Sequence, residues 1–433
     1  MFSRGTAVLE LQQALDAQSA RQVAHWVLAA ARLDLDELAS REAWGHLERY
    51  LGVSLRRHLD GVIERLKGEG RVLTTLHREA RSPSTRAEVR RRLLAFERQY
   101  LRTERTLDFF ADAINSRTNP QVAGVLRACD TLAQRSMAQV LDALGKTTPP
   151  AVTYLGEGRG ASILKARQRL WDGGEICPVA AIKVTRHNLL RPTALIHEAG
   201  HQVAHILGWN EELASTLTQG LQRLGASAEL AEIWAGWASE ISADAFSFAH
   251  TGFASIAALH DVVDGDSAQV FRYLPGDPHP ISYLRVLLGV QMCRHFYAAG
   301  STGEAPWDAL ALAWNSRHPL DAAPSDSRAI VHDSLPLLDA IVPLVLEAPL
   351  RAFQGRALRD LVMPERVSPT ALNELGARIG NALFTSAHWL WSEPLRILGL
   401  TGLRLAVAPR ESEPILELQR QSMLRLGGAL QTV

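Results

Sequence analysis

Apolar positions recur at helical spacing along most of this chain. From residue 7 to about 145, stretches rich in Ala, Leu and Arg repeat an apolar residue every three or four positions, with almost none of the alternation a strand needs. The clearest stripe is Val89, Leu93, Phe96, Tyr100, Leu107, Phe110 and Ile114, preceded by Ser84 and Thr85 as candidate caps; an apolar face of this length predicts a partner helix. Thr147-Thr148-Pro149-Pro150 ends the pattern. Residues 151–155 and 179–185 are short and β-branched, with glycines between them, and predict a small sheet. Helical spacing resumes at Pro192 and continues to the end of the chain, with loop breaks near Gly208, Gly252, 275–280 and 301–306. The pattern predicts a mainly α chain with a small β-sheet (α+β), divided into a helical bundle at 1–148, a core at 149–300 and a helical C-terminal part at 301–433. No internal repeat of roughly 20 to 50 residues marks a solenoid.

Composition narrows the class. With 47% hydrophobic and 21% charged residues, the chain can bury a sizeable core, and 433 residues suit two or three packed units. Lys plus Arg and Asp plus Glu each number 46, so no overall field draws the chain to nucleic acid or an acidic membrane. The arginines at 90–92 and their neighbours are interleaved with acids, which reads as a solvated helix face and not as a nucleic-acid site. Cys129, Cys177 and Cys293 are odd in number and far apart, which suits a reducing, cytoplasmic setting. The first residues, Met1-Phe2-Ser3-Arg4-Gly5, lack a signal-peptide pattern, and the greasiest segment, 337–350, is interrupted by Asp339, Pro343 and Glu347, so no transmembrane segment is expected.

The chemistry concentrates in Leu195-Ile196-His197-Glu198-Ala199-Gly200-His201-Gln202, an HExxH pattern inside a predicted helix. Residues four apart share a helix face, so both imidazoles can meet one zinc ion, while Glu198 on the neighbouring face reaches a water at the metal. A second pair, Glu240 and Asp244, is also spaced by four, in a segment expected to be helical over 228–250. Glu240 completes a three-residue ligand set, and Asp244 accepts the outer N–H of a ligating histidine and fixes its tautomer. Glu211, Glu212 and Glu232 are weaker third ligands because none has an aspartate four residues on. His205 lies one turn beyond His201, too far along a straight helix to share the ion, and reads as a packed or supporting histidine. A metzincin would need a glycine and a histidine where Ala204 and Leu207 stand.

With HExxH followed by ExxxD, the chain resembles the gluzincin zinc peptidases. The later His279-Pro280 and Arg285 make the wording most similar to the branch of CAAX-prenyl endopeptidases and bacterial heat-shock membrane peptidases, over about 179–290. The resemblance implies a zincin-like core flanked by helical bundles, one zinc per chain on His197, His201 and Glu240, and His279 and Arg285 beside the substrate. That branch is embedded in membrane through flanking helices absent here, so its prenylated and membrane substrates are not carried over. His318-Pro319 is a rival copy of the His-Pro pair without a matching arginine.

On this basis the chain is expected to be a zinc-dependent endopeptidase acting on polypeptides. Glu198 serves as general base, and His279, Tyr283 and Arg285, which share one short segment, are the candidate donors to the oxyanion. The strand at 179–184 is expected to be the edge on which an extended substrate adds. Cys177 is expected to be inert rather than an inhibitory zinc ligand. The N-terminal helices offer a surface for a protein partner, or a cover over the cleft that a trigger displaces. Two other classes compete: a catalytically silent zincin-fold scaffold, and a nucleic-acid binder using the arginines between 78 and 105, which the interleaved acids disfavour.

Overall fold

The computed structural model describes residues 4–158, 160–169, 176–297 and 305–428, with side chains from residue 10 onward. Helix makes up 76% of it, beside one small three-stranded sheet, the mainly α architecture that the apolar spacing predicts. The chain forms two compact units, 1–115 with 166–179, and 116–165 with 180–433.

The first unit is built on three long helices, α1 (Arg4–Ala31), α2 (Leu55–Glu79) and α3 (Pro83–Asn115), with shorter helices Leu35–Leu38 and Arg41–Leu51 between the first two. The predicted stripe on α3 finds its partners: Val89, Leu93 and Phe96 pack with Val23 and Ala30 of α1 and Leu66 and Leu73 of α2. The cap is Ser82, one turn earlier than expected. Its hydroxyl accepts from the Thr85 N–H at 3.2 Å, and the Thr85 hydroxyl accepts from the Ser82 N–H at 3.0 Å. Arg91 and Arg92 both pair with Glu88, and Arg90 donates to Gln22 at 3.0 Å, so this basic run is a solvated, internally paired face.

The second unit begins with α4 (Pro120–Leu141), followed by β1 (Ala151–Gly156), β2 (Ser162–Leu164) and β3 (Ala180–Thr185). The strand order is β1-β3-β2, with β1 parallel and β2 antiparallel to β3. This corrects the expectation for 179–184: β3 is the central strand and has no free edge. The physical reason is its almost unbroken apolar run, with Ala180, Ala181, Ile182 and Val184 all buried, which suits a strand covered on both faces. Half-buried β2 is an edge instead.

Beyond the sheet come α5 (Thr193–Leu207), α6 (Trp209–Arg223), a short helix Ala228–Gly236, α7 (Ala238–Thr251), α8 (Phe253–Val263) and α9 (Ser282–Phe296). The helix expected over 228–250 is thus two helices, divided at Trp237. Farther on, α10 (Pro394–Val407) packs on α8, and α11 (Ser412–Leu426) packs on α4. These contacts explain why the units do not follow the expected boundaries at 148 and 300. Helix α4 packs on α5 and β1, and the C-terminal helices close around the same core. The predicted boundary at 300/301, like the loop at 301–304 and Met1 to Ser3, lies outside the described residues.

Among the described residues one run, Ser325–Leu346, is long and apolar enough to cross a membrane, with a mean hydropathy of 1.7, contrary to the expectation that none is. Its Leu338, Ile341, Val342, Val345 and Leu346 are buried inside the unit, which is also the environment of an apolar core helix.

A buried ionic knot ties α4 to the sheet. Asp130, 1% exposed, accepts from the Thr153 N–H at 2.6 Å and the Thr153 hydroxyl at 2.7 Å, and pairs with Arg117 at 2.6 Å. Arg117 also donates to the Thr153 carbonyl. Replacing Asp130 by Ala leaves the guanidinium and two donors of β1 without their carboxylate. The expected loss is about 3–5 kcal/mol in urea unfolding, against less than about 1 kcal/mol for the exposed pair partner Glu88→Ala.

Candidate metal centre

Two helices supply the centre, and a glycine lets them meet. An added Cβ on Gly200 would lie 3.0 Å from Ala243 Cα and 3.0 Å from Phe246 Cβ, so α5 and α7 approach closely at the position between the two histidines. That contact carries His197 and His201 on α5 opposite Glu240 and Asp244 on α7. Gly208, at φ 67°, then ends α5 in the left-handed region.

The side chains converge as the spacing predicts. Glu240 Oε2 lies 3.4 Å from His197 Nε2, and Glu240 Oε1 lies 3.2 Å from His201 Nε2. Three donor atoms of these residues fall within 4.8 Å of one another, a group able to hold one metal ion. The separations fit: a tetrahedron with bonds of about 2.1 Å to nitrogen and oxygen has edges of about 3.4 Å. The tautomers fit as well. His197 Nδ1 is 2.8 Å from Asp244 Oδ1, so the ring donates from Nδ1 and turns its Nε2 lone pair to the centre; His201 Nδ1 faces the Ser239 hydroxyl at 3.4 Å.

Arg285 lines the same cavity as the metal group, as expected, and is held there by carboxylates. Its guanidinium grips Asp244 through two bonds, Nε to Oδ2 at 2.6 Å and Nη2 to Oδ1 at 2.8 Å, and Nη2 reaches Glu240 Oε2 at 3.1 Å. Its Nε and Nη2 are thus engaged in holding these carboxylates. Tyr283 is a correction: it is buried, donates to Asn315 at 2.9 Å and stacks on Trp314, away from the cavity, because its position on α9 faces the core. His279 does reach the cavity. Its Nε2 is 3.8 Å from Glu240 Oε1, and Asp277 holds its Nδ1 at 2.6 Å.

A cavity of about 500 Å³ opens in front of the centre, entirely within the second unit. Glu198, buried, lines it beside both histidines, and so do Ser162 and Ile163 of the edge strand β2. Ile256, Leu259, Val262 and Val263 of α8 form an apolar wall. Lys165, just past β2, also lines it; no motif marks this residue in the sequence, and only the strand order brings it to the centre. His205 is exposed and Cys177 is buried against the Val179 carbonyl at 3.2 Å; neither lines the cavity. Burial pushes the Cys177 thiol up to about 11, which makes it a poor nucleophile. The rival His318 is buried beside Ser267 and Asp264, also away from the cavity.

The electrostatics are those of a tightly coupled cluster. Burial opposes charge on His197, but Asp244 and Glu240 outweigh it and push its pKa up to about 10 in the metal-free protein. Burial likewise opposes charge on Glu240 and Asp244. The surrounding His197, His201 and Arg285 hold Glu240 well below the usual carboxylate range, and Arg285 and His197 do the same for Asp244. Arg285 stays charged despite its burial because Asp244, Glu240 and Glu198 surround it.

The chain matches no family model, no curated protein and no solved structure, so the centre is defined by its own geometry. What that geometry defines is a helix-rich protein with a His-His-Glu group that could bind a metal ion.

Two outcomes are expected. Gly200→Ala forces α5 off α7, costing about 1–3 kcal/mol in denaturant unfolding and weakening metal uptake, while Gly236→Ala, with nothing within 4 Å of its added Cβ, leaves uptake unchanged. In the metal-free protein, the raised pKa of His197 gives stability that is complete below about pH 6.5 and lost as pH rises towards about 10. The lowered Glu240 and Asp244 give stability present above about pH 4 and lost on acidification. Thermal midpoints in chelator should therefore peak near pH 5–6.5 and fall through the alkaline range. Added Zn²⁺ should flatten that alkaline fall, since a metal ligand must be the neutral imidazole.

Proposed function

We propose that this chain is a zinc-dependent endopeptidase of the gluzincin type, with His197, His201 and Glu240 as metal ligands and Glu198 as general base. The observation that carries the reading is the joint placement of these four side chains: three donors face one point, and the buried carboxylate of Glu198 lines the same cavity. Two imidazoles with one carboxylate form a donor set suited to zinc, and three protein ligands leave a position for chemistry.

A bound zinc ion supplies Lewis acidity, which polarises a peptide carbonyl and makes water easier to deprotonate. The protein's own groups do the rest. Glu198 takes the proton from the attacking water and passes it to the amine nitrogen as the C–N bond breaks. Asp244 holds His197 in the tautomer that presents Nε2, and Arg285 holds Asp244 and Glu240 in place. His279 is the candidate donor to the carbonyl oxygen, because the Asp277 contact at Nδ1 leaves its Nε2 towards the cavity. The free edge of β2 offers backbone groups to an extended peptide, which favours a polypeptide substrate.

Metal analysis and peptide cleavage together test this. Wild type and Glu198→Gln should each retain about one zinc per chain, and Glu240→Ala should lose most of it. Zinc-loaded wild type should cleave peptides from a mixed library, with the rate falling by about 10²–10⁴-fold in Glu198→Gln, the range typical of a lost proton-transfer group. Zinc bound without cleavage would favour a catalytically silent scaffold; full zinc content in Glu240→Ala would move the third ligand elsewhere.

A further inference from the structure

Lys165 lines the cavity and is half-buried there, yet none of its described contacts is an ion pair or a hydrogen bond to its ammonium. A partly desolvated charge without a close partner gains from acquiring one, and this desolvation pushes the amine below its ordinary value against the pull of Glu198, Glu240 and Glu211. The other cationic groups of the cavity are already committed. Arg285 is held by Asp244 and Glu240 through its Nε and Nη2, His279 leans on Asp277, and His197 and His201 belong to the metal group. Opposite them, the α8 wall is apolar and offers no counter-charge.

We propose that Lys165 anchors a carboxylate carried by the substrate, so that the cleft selects peptides with a negative charge, on a side chain or at the C terminus, close to the scissile bond. This deepens the peptidase reading and rests on it. The charge balance supports it. Glu198, Glu240 and Asp244 bring three negative charges to the cavity, against one positive charge each on Arg285 and Lys165. With a divalent ion in place and the histidines neutral, the balance turns positive by one charge, and Lys165 supplies that charge. A neutral peptide would leave the ammonium as desolvated as before, whereas a carboxylate gives it a short charge-assisted bond. The position at the end of β2 suits this role, since a peptide extending that edge brings its next side chain or its terminus to the residue following the strand.

The test uses matched synthetic peptides that differ only by Glu against Gln at one position, or by a free against an amidated C terminus. Each is offered to the zinc-loaded full chain as wild type, Lys165→Met and Lys165→Arg, with Glu198→Gln as the control that assigns cleavage to this site. In wild type, KM for a carboxylate peptide should be about ten-fold below that of its amide twin. Lys165→Met should erase the difference by raising KM while kcat stays within a few-fold, and Lys165→Arg should keep most of it. Which twin pair shows the effect identifies the side chain or the terminus as the source. An equal fall in kcat for both twins would put Lys165 on the carbonyl oxygen of every substrate and overturn the anchor, as would no discrimination at all. If wild type cleaves none of the peptides, the peptidase reading fails instead. Calorimetric binding of the same twins to zinc-loaded wild type and Lys165→Met then decides the anchor, supported by a charge preference that Met removes and overturned by its absence.

Discussion

The candidate centre depends on the approach of two helices at Gly200. Ligands on one helix can be set by spacing alone, but a third ligand from another helix needs a fixed distance between axes. Here Gly200 lies against Ala243, the residue just before Asp244. A residue without a Cβ therefore stands between the two histidines, and a small residue stands between Glu240 and Asp244. Both motifs place their functional side chains around the point of closest contact, where packing leaves them the least freedom.

The same contact explains why so many charges are tolerated in one place. Asp244, Glu240, His197 and Arg285 form a closed set in which each charged group faces an opposite or polarisable partner at 2.6–3.4 Å. Removing one member would leave another buried and uncompensated, so the set holds its geometry collectively. Arg285 is the residue that converts two acidic positions on α7 from a source of repulsion into a rigid support. This support is what lets Glu240 face both imidazoles instead of turning away to solvent.

Much of this was legible in the sequence, and the limits have physical causes. Helical periodicity identifies the long helices and the stripe on α3 because the buried face is continuous along the helix, here against α1 and α2. The HExxH and ExxxD spacings place His197, His201, Glu240 and Asp244 because a helix converts spacing into direction. Tyr283 shows where this stops: it shares a short segment with Arg285, which does line the cavity, but its own facing is set by how α9 packs, and that depends on distant partners such as Asn315 and Trp314. The strand order was out of reach for a similar reason. Three-residue β2 carries too little pattern for the sequence to show it, and without it β3 reads as an edge and nothing marks Lys165. The division at Asn115/Ser116 follows tertiary packing of α4, which no composition change signals.

The shape of the cavity bounds the chemistry that the proposed activity can serve. About 500 Å³ is room for a few side chains, not for a folded domain. Most of its charged groups come from α5 and α7, joined by Lys165, His279 and Arg285, and most of its large apolar residues come from α8, joined by Ile163 of β2. A ligand that fills it must therefore be two-faced, with hydrogen-bonding backbone along β2 and the metal group, and apolar surface against Ile256, Leu259, Val262 and Val263. An extended polypeptide meets that requirement, because successive side chains alternate while the backbone presents donors and acceptors along its edge. A flat aromatic or a sugar would leave either the strand edge or the apolar wall unmatched. The division of the walls, more than the volume, is what favours a peptide as the occupant of this cleft.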